Sequence, residues 1–410
     1  MTPASSAACS DLRPCDTRRL PLWTLPFLMM ALVALAFFSA FHLITPTLPL
    51  YLHQRGMNGG AIGVMVSAFM AASLITRPLM GRWADLASKK RLIVVGAACF
   101  AACAPCYLLP LSDGALFALR LIHGAAFSLF VAAYYGYLLQ VLPQARRAEA
   151  LSAHSNVVML ALALGPMAGL WLMETVSIGL VFWTMLALGI AALLLCLALP
   201  PEPQADPVTR LHNPVQNADV TWIHPKALGP GALMASVSVL YGAVLPFAPL
   251  IGHEKGMDAM APLYLLYTAG VIVTRSVSGA LSDRYGRAAV LIPAMALSGV
   301  SVWCMAFTPT SWGLLLSALA YGLTGGAVQP SLMAMVADRL EDGERASAMA
   351  TFTMFGDFGM ALGSLIIGGL SAWTGYGGAL AFPALIALSG ATALWMSHQR
   401  QSRATAQASN

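Results

Sequence analysis

Twelve apolar runs, each of roughly 20 to 30 residues, fill most of the chain and are separated by short breaks rich in charge, proline or glycine. Runs of that length leave few folds open. A bilayer core about 30 Å thick is crossed by about 20 helical residues, and every backbone N–H and C=O within it must be bonded internally. The runs are Leu22–Leu52, Gly60–Trp83, Leu92–Leu111, Gly114–Leu142, Ala150–Met173, Ile178–Leu199, Ala227–Ile251, Ala261–Ser282, Ala288–Phe307, Trp312–Ala337, Ser347–Trp373 and Gly377–Met396. Charged residues make up 10% of the chain and the mean hydropathy is +0.73, whereas charged residues approach a quarter of a soluble domain. An all-α integral membrane protein of twelve transmembrane helices is predicted.

The second constraint is an internal repeat, which has to be read before any single motif. The stretch from Thr76 to Arg91, TRPLMGRWADLASKKR, returns as TRSVSGALSDRYGR from Thr274 to Arg287. Thr76 matches Thr274, Arg77 matches Arg275, Gly81 matches Gly279, Asp85 matches Asp283 and Lys89 matches Arg287. Pro49-Leu50 with Gly56-Met57 likewise recurs as Pro249-Leu250 with Gly256-Met257, Gly124 as Gly322, and Gly165 as Gly363. The spacing of about 200 residues divides the chain into two homologous halves, expected to form two pseudo-symmetric six-helix bundles. The divisions expected are an N-terminal tail over 1–21, bundles over 22–199 and 227–397, a linker over 200–226 and a tail over 398–410.

Loop charge sets the orientation, because Lys and Arg collect on the cytoplasmic side. With the N-terminus inside, Arg55 and Lys255 are the basic residues left outside, and Arg77, Arg120 and Arg275 fall within spans. Both termini and the linker are therefore expected in the cytoplasm, with the protein in the inner (plasma) membrane. The tail from His398 is polar and expected to be disordered. The first apolar run lacks a small-residue cleavage pattern and reads as a span and not a removed signal. A net charge of +5, placed mostly in loops, speaks for topology and not for nucleic acid. The seven cysteines form no spaced framework, and Cys99, Cys103 and Cys106 on one helix face have no partner cluster that would make a metal site. No cofactor is implied.

The repeated turn carries the most specific pattern. Gly81, Asp85, Lys89 and Lys90 in the first copy, and Gly279, Asp283, Arg284, Gly286 and Arg287 in the second, resemble the G-x-x-x-D-R-x-G-R-R/K loop of the major facilitator superfamily. The first copy departs from it, with Leu86 in place of the arginine and Ser88 in place of the second glycine. The resemblance covers nearly the whole chain and is strongest to bacterial drug/proton antiporter-like efflux members. It implies that this loop is a conformational latch in which Asp85 and Asp283 cap a helix or pair with basic residues. A solvated turn that merely orients the chain is the alternative.

Within the spans, Arg120 and His123 lie in Arg-Leu-Ile-His-Gly, similar to the family's R-x-x-Q-G motif with His for Gln, and the resemblance implies a part in proton coupling. The second half has Ala318 in that place, so the arginine is not a requirement for folding a half. A guanidinium inside a bilayer is costly unless it faces a partner or a cavity. Asp357 is the carboxylate set deepest in a span, about 15 Å from the cytoplasmic end of its helix against about 20 Å for Arg120. Both depths are taken from the cytoplasmic side of the bilayer core and are comparable, and Asp357 is expected to carry a proton, to hold a cationic substrate, or to serve a structural hydrogen bond. His42 titrates in the physiological range if it faces a cavity, and packs as an interior residue if it does not.

Phe38, Tyr134, Tyr241 and Tyr321 are the candidate cavity lining, since spans one, four, seven and ten face the cavity in this family; simple packing is the other reading. Gly165, Pro166 and Gly169 resemble the G-P-x-x-G helix motif of the family's antiporters. No phosphate-binding G-x-x-x-x-G-K-[ST] loop occurs, and no nucleophile or metal set of an intramembrane enzyme. The expectation is a monomeric secondary transporter in the lipid bilayer that exchanges protons for a small organic molecule such as a drug, sugar or metallophore. Uptake of a metabolite and a non-transporting sensor are the alternatives.

Overall fold

The computed structural model describes residues 24–142, 146–202, 224–257, 260–338 and 345–408. The N-terminal tail and most of the linker lie outside these residues. Twelve α-helices account for nearly all of the rest: α1 Leu25–Gln54, α2 Gly59–Leu86, α3 Lys89–Cys106, α4 Asp113–Val141, α5 Arg147–Thr175 and α6 Ile178–Ala198. After a short 3-10 turn, Pro225–Ala227, follow α7 Leu228–Glu254, α8 Ala261–Tyr285, α9 Arg287–Phe307, α10 Ser311–Ala337, α11 Arg345–Ala379 and α12 Ala381–Ala408. Among the described residues nine helices are long and apolar enough to cross a membrane. The exceptions are α3, which opens on three basic residues, α8, which carries Thr, Arg, Ser and Asp through its second half, and α12, which is polar from Ser397 onward.

Local sequence starts and stops these helices. Thr24, Asn58, Ser88, Ser112, Ser177 and Thr310 each stand at an N-cap, where the side-chain oxygen accepts the amide three residues on. The repeated turn is closed in two ways. Gly286 takes φ +89°, open to glycine, between α8 and α9, while Ser88 stays extended and caps α3 through its hydroxyl. The helix of span eleven breaks at Gly375, with φ +71°. The C-terminal tail is not disordered as expected but continues α12 to Ala408. Its Gln, Arg and Ala are strong helix formers, and a helix already nucleated in the span propagates through them cheaply.

In the first half α1 packs on α5 and α6, α2 on α4, and α3 on α4 and α6. In the second, α7 packs on α11 and α12, α8 on α10, and α9 on α10 and α12. The halves meet along α2–α11, α5–α8 and α1–α7. Matched glycines hold matched helices together. A Cβ on Gly124 would stand 2.2 Å from the carbonyl oxygen of Phe69, and one on Gly322 would stand 2.0 Å from that of Tyr267. Helices in lipid associate through such close backbone contact.

The end of the molecule opposite the repeated turn has its own matched feature. Arg55, just past α1, donates from Nη2 to the Leu111 carbonyl at 2.8 Å. Lys255, just past α7, donates from Nζ to the carbonyls of Met305, Ala306 and Thr308 at 2.9, 3.0 and 2.7 Å. Lys255 thus satisfies carbonyls at the C-terminal end of α9, where the helix dipole favours positive charge, while Arg55 ties the end of α1 to the loop between α3 and α4.

Candidate functional site

Asp357 is the only carboxylate among the described residues that is buried inside the protein. It lies on α11 where that helix faces α2 across the seam between the halves, and its carboxylate is ion-paired with the Arg77 guanidinium. Arg77 is anchored from its own helix by Ser73, whose Oγ lies 3.5 Å from Nη2. Arg77 stands about 13 Å along α2 from the end that carries the repeated turn, and Asp357 about 18 Å along α11 from the same end. The pair therefore bridges the halves in that side of the molecule. The matched arginine, Arg275, meets no carboxylate among the described residues, and Met159 occupies the place in α5 that matches Asp357.

Arg120 is not brought to Asp357. The helices run past the bilayer core, and Arg120 is only about 10 Å from the start of α4, toward the opposite end of the molecule from Asp357. Its Nε donates to the Met65 carbonyl at 3.0 Å, and Nη1 reaches the Tyr107 hydroxyl at 3.4 Å. The guanidinium also lies over the Phe69 ring, 4.7 Å from its centroid. The Tyr107 hydroxyl stands 3.0 Å from His123 Nδ1. Guanidinium only donates, so a Tyr107 hydroxyl that accepts from Arg120 is free to donate its own hydrogen to His123 Nδ1, which then bears its hydrogen on Nε2. That nitrogen is buried without a hydrogen-bond partner, against the Phe100 and Phe69 rings.

Arg120 borders a small cavity of about 40 Å³ at the meeting of α1, α2, α4 and α7, with Phe41, Thr45, Phe69 and Pro246 among its walls. That volume takes water and no organic substrate. Phe38 and Tyr134 sit in the core of the first half: Phe38 is edge-on to Phe37 and Phe127, and the Tyr134 hydroxyl donates to the Met30 carbonyl at 2.6 Å and lies 2.6 Å from His154 Nε2. Tyr241 and Tyr321 flank Tyr267, with ring centroids 6.5 and 5.1 Å from it. His42 is buried with Nδ1 unpartnered. Gly165 and Gly169 seat α5 on α1 against Ser39, His42 and Leu43, with Pro166 inside the helix between them.

At the repeated turn, the side chains of Asp85 and Asp283 lie outside the described residues. Around them, Glu202 accepts from the Ser88 hydroxyl at 2.6 Å and from the Lys90 amide at 2.9 Å, and Lys90 Nζ donates to the Leu199 carbonyl. Lys89 lays its alkyl chain near Gly136. In the second copy Arg287 donates to Asp338 at 3.2 Å and to Ser282 at 3.1 Å, while Arg284 lies over the Tyr285 ring. A Cβ on Gly81 or Gly279 would meet nothing within 4 Å. Gly81→Ala and Gly279→Ala are therefore expected to leave the thermal unfolding midpoint of the purified protein within about 2 °C. A large drop in either midpoint would show a packing demand at these glycines that this conformation does not have.

The family model described as Major Facilitator Superfamily matches residues 27–277 and 241–409. The chain belongs to that superfamily. It is a multi-pass membrane transporter and not an enzyme. The staphylopine export protein of Staphylococcus aureus is 23% identical over 361 residues, covering 86% of this chain and 90% of that one. The quinolone resistance protein NorA of Staphylococcus aureus is 26% identical over 232 residues, covering 57% of this chain and 55% of its own. The crystal structure of a D-xylose-proton symporter superposes with a TM-score of 0.71 at 14% identity, covering 90% of this chain and 96% of that one. That last likeness is one of fold.

Nothing local in the sequence marks the partner of Asp357. Arg77 reads as a charge inside a span, next to the repeated turn and part of its repeat. Pairing an arginine of span two with an aspartate of span eleven depends on two helices from different halves lying side by side. The signal that points to it is the departure from the repeat, since Arg77 and Arg275 match while Asp357 and Met159 do not.

Proposed function

We propose that this transporter exports a small organic molecule in exchange for protons by alternating access, with Asp357 as the proton carrier and Arg77 as its counter-charge. The observation that carries the reading is the Arg77–Asp357 ion pair across the α2–α11 seam. A proton taken by the carboxylate cancels its charge and removes the attraction that holds the seam at that side, so that one protonation event favours separation of the halves there. Loss of the proton restores the pair. The repeated turn, with Asp85, Lys89, Lys90, Asp283, Arg284 and Arg287, lies beyond the ion pair on the same side and acts as the outer part of one closure. Tyr241 and Tyr321 are assigned to the cavity wall of the second half.

Export is favoured by the relatives, one an export protein and one a resistance protein by their names. The fold is shared with a symporter and carries no direction. The test is transport by the purified protein in proteoliposomes with an imposed pH gradient. Substrate moving uphill against the proton flow is expected; movement with the protons would make the protein a symporter, and movement indifferent to the gradient would remove proton coupling.

The proposed orientation puts both termini and the repeated turn in the cytoplasm of a plasma-membrane monomer. Reporter fusions at Gln204 and Ser402 are expected to read cytoplasmic, and a periplasmic reading at either site would overturn the orientation.

A further inference from the structure

Arg120 is a charge that the exchange of one proton at Asp357 does not use. It is buried, at 6% exposure, and no carboxylate pairs with it among the described residues. Its contacts are a carbonyl, a phenol and the face of a ring. None of these cancels a full positive charge, and Nη2 makes no hydrogen bond among the described residues. A guanidinium offers five donors in a planar fork, and here part of that fork is left over beside a cavity.

The cavity has a chemical character. Its other walls are Phe41, Phe69 and aliphatic side chains, with the Thr45 hydroxyl as the remaining polar group. Arg120 is the single charged residue lining it. Pro246 comes from α7 and the rest from α1, α2 and α4, so the cavity lies on the α1–α7 seam and would enlarge on the proposed parting of the halves. The other intramembrane arginine on α2 already has Asp357. Ala318 at the matched place shows that the fold of a half does not need the charge. A buried cation in a low-dielectric setting attracts an anion far more strongly than the same cation in water.

We infer that Arg120 is the substrate-binding residue for an oxyanion, and that the transported molecule is an organic anion with one such group on a flat apolar body. The oxyanion takes the free side of the guanidinium, and the apolar body lies against Phe41 and Phe69. Tyr107 and His123 are positioning residues: the hydroxyl fixes Nη1, and the imidazole fixes the hydroxyl. The inference rests on the transporter reading above and adds the class of substrate.

The test uses three permanently charged or uncharged probes of one shape: naphthalene-2-sulfonate, naphthalene-2-sulfonamide and trimethyl(2-naphthyl)ammonium. Equilibrium binding to the full-length protein in detergent is expected to favour the sulfonate over the sulfonamide by about tenfold or more. Arg120→Gln is expected to erase that preference, and Arg120→Lys to keep part of it. Tyr107→Phe, which leaves the charge in place, should weaken sulfonate binding by a smaller factor and leave sulfonamide binding unchanged. Equal binding of sulfonate and sulfonamide, a preference for the ammonium probe, absence of saturable sulfonate binding, or an unchanged preference in Arg120→Gln would each overturn the inference.

The same probes in proteoliposomes separate the two readings. Gradient-driven movement of the ammonium probe with the sulfonate left behind removes the anion assignment and leaves proton exchange standing. Sulfonate that binds through Arg120 while no probe follows the gradient supports the anion assignment and removes the exchange mechanism.

Discussion

Asp357→Asn is expected to abolish transport driven by a pH gradient, by about 100-fold or more, while substrate counterflow at equal pH on both sides continues. Counterflow needs the halves to move with substrate bound but needs no net proton movement. The substitution also leaves Arg77 without its partner, which for a largely buried pair costs on the order of 3–5 kcal/mol. Part of any loss could therefore be structural, and a double replacement separates the two. Arg77→Met with Asp357→Leu removes both charges and fills the space with apolar atoms, a change that is often neutral for stability. The double variant is expected to unfold near the wild-type temperature and to show no gradient-driven transport. If it transports with the wild-type pH dependence, the ion pair is a packing element and the proton travels elsewhere.

Gly322→Ala is expected to cost on the order of 3 kcal/mol, because the added methyl would lie 2.0 Å from the Tyr267 carbonyl oxygen and 2.8 Å from its carbonyl carbon. Those are backbone atoms of α8, so no side chain can turn away and the two helices have to separate. Gly124→Ala, facing the Phe69 carbonyl of α2 at 2.2 Å, should behave alike. Thermal unfolding in detergent is the measurement, with Gly81→Ala as the control that meets nothing. Wild-type midpoints for both Gly322→Ala and Gly124→Ala would mean that α8–α10 and α2–α4 slide apart at little cost, and that the halves are not rigid in the way their packing indicates.

The parts of this architecture that follow from chain-local physics were legible in the sequence. Apolar length fixed the spans, and Ser, Thr and Asn at the caps mark where several of them begin. Matched residues such as Gly124 and Gly322 announced two halves before any helix was placed. Counting from the spans' ends puts Arg120 and Asp357 at one level, whereas the helices run longer than a bilayer core is thick and Arg120 lies toward the opposite end of the molecule from Asp357. The pairing of Arg77 with Asp357 was invisible for a different reason: it is a contact between helices distant in sequence, and nothing local records it. Likewise the polar residues after His398 read as a loose tail by composition, whereas their helix propensity and the helix already running into them carry α12 onward.

The ties made by Arg55 and Lys255 bear on where a change of pH can act. Their partners are carbonyl oxygens at Leu111, Met305, Ala306 and Thr308, and carbonyls do not titrate. Acidifying the solution on that face neutralises no acceptor and so frees neither cation, whereas a cation held by a carboxylate would be released as its partner took up a proton. The corners joining α1 to the α3–α4 loop, and α7 to the end of α9, therefore keep their hold under conditions in which the proposed protonation of Asp357 would free Arg77. On that proposal a proton would loosen the transporter at one depth and leave its opposite rim fastened.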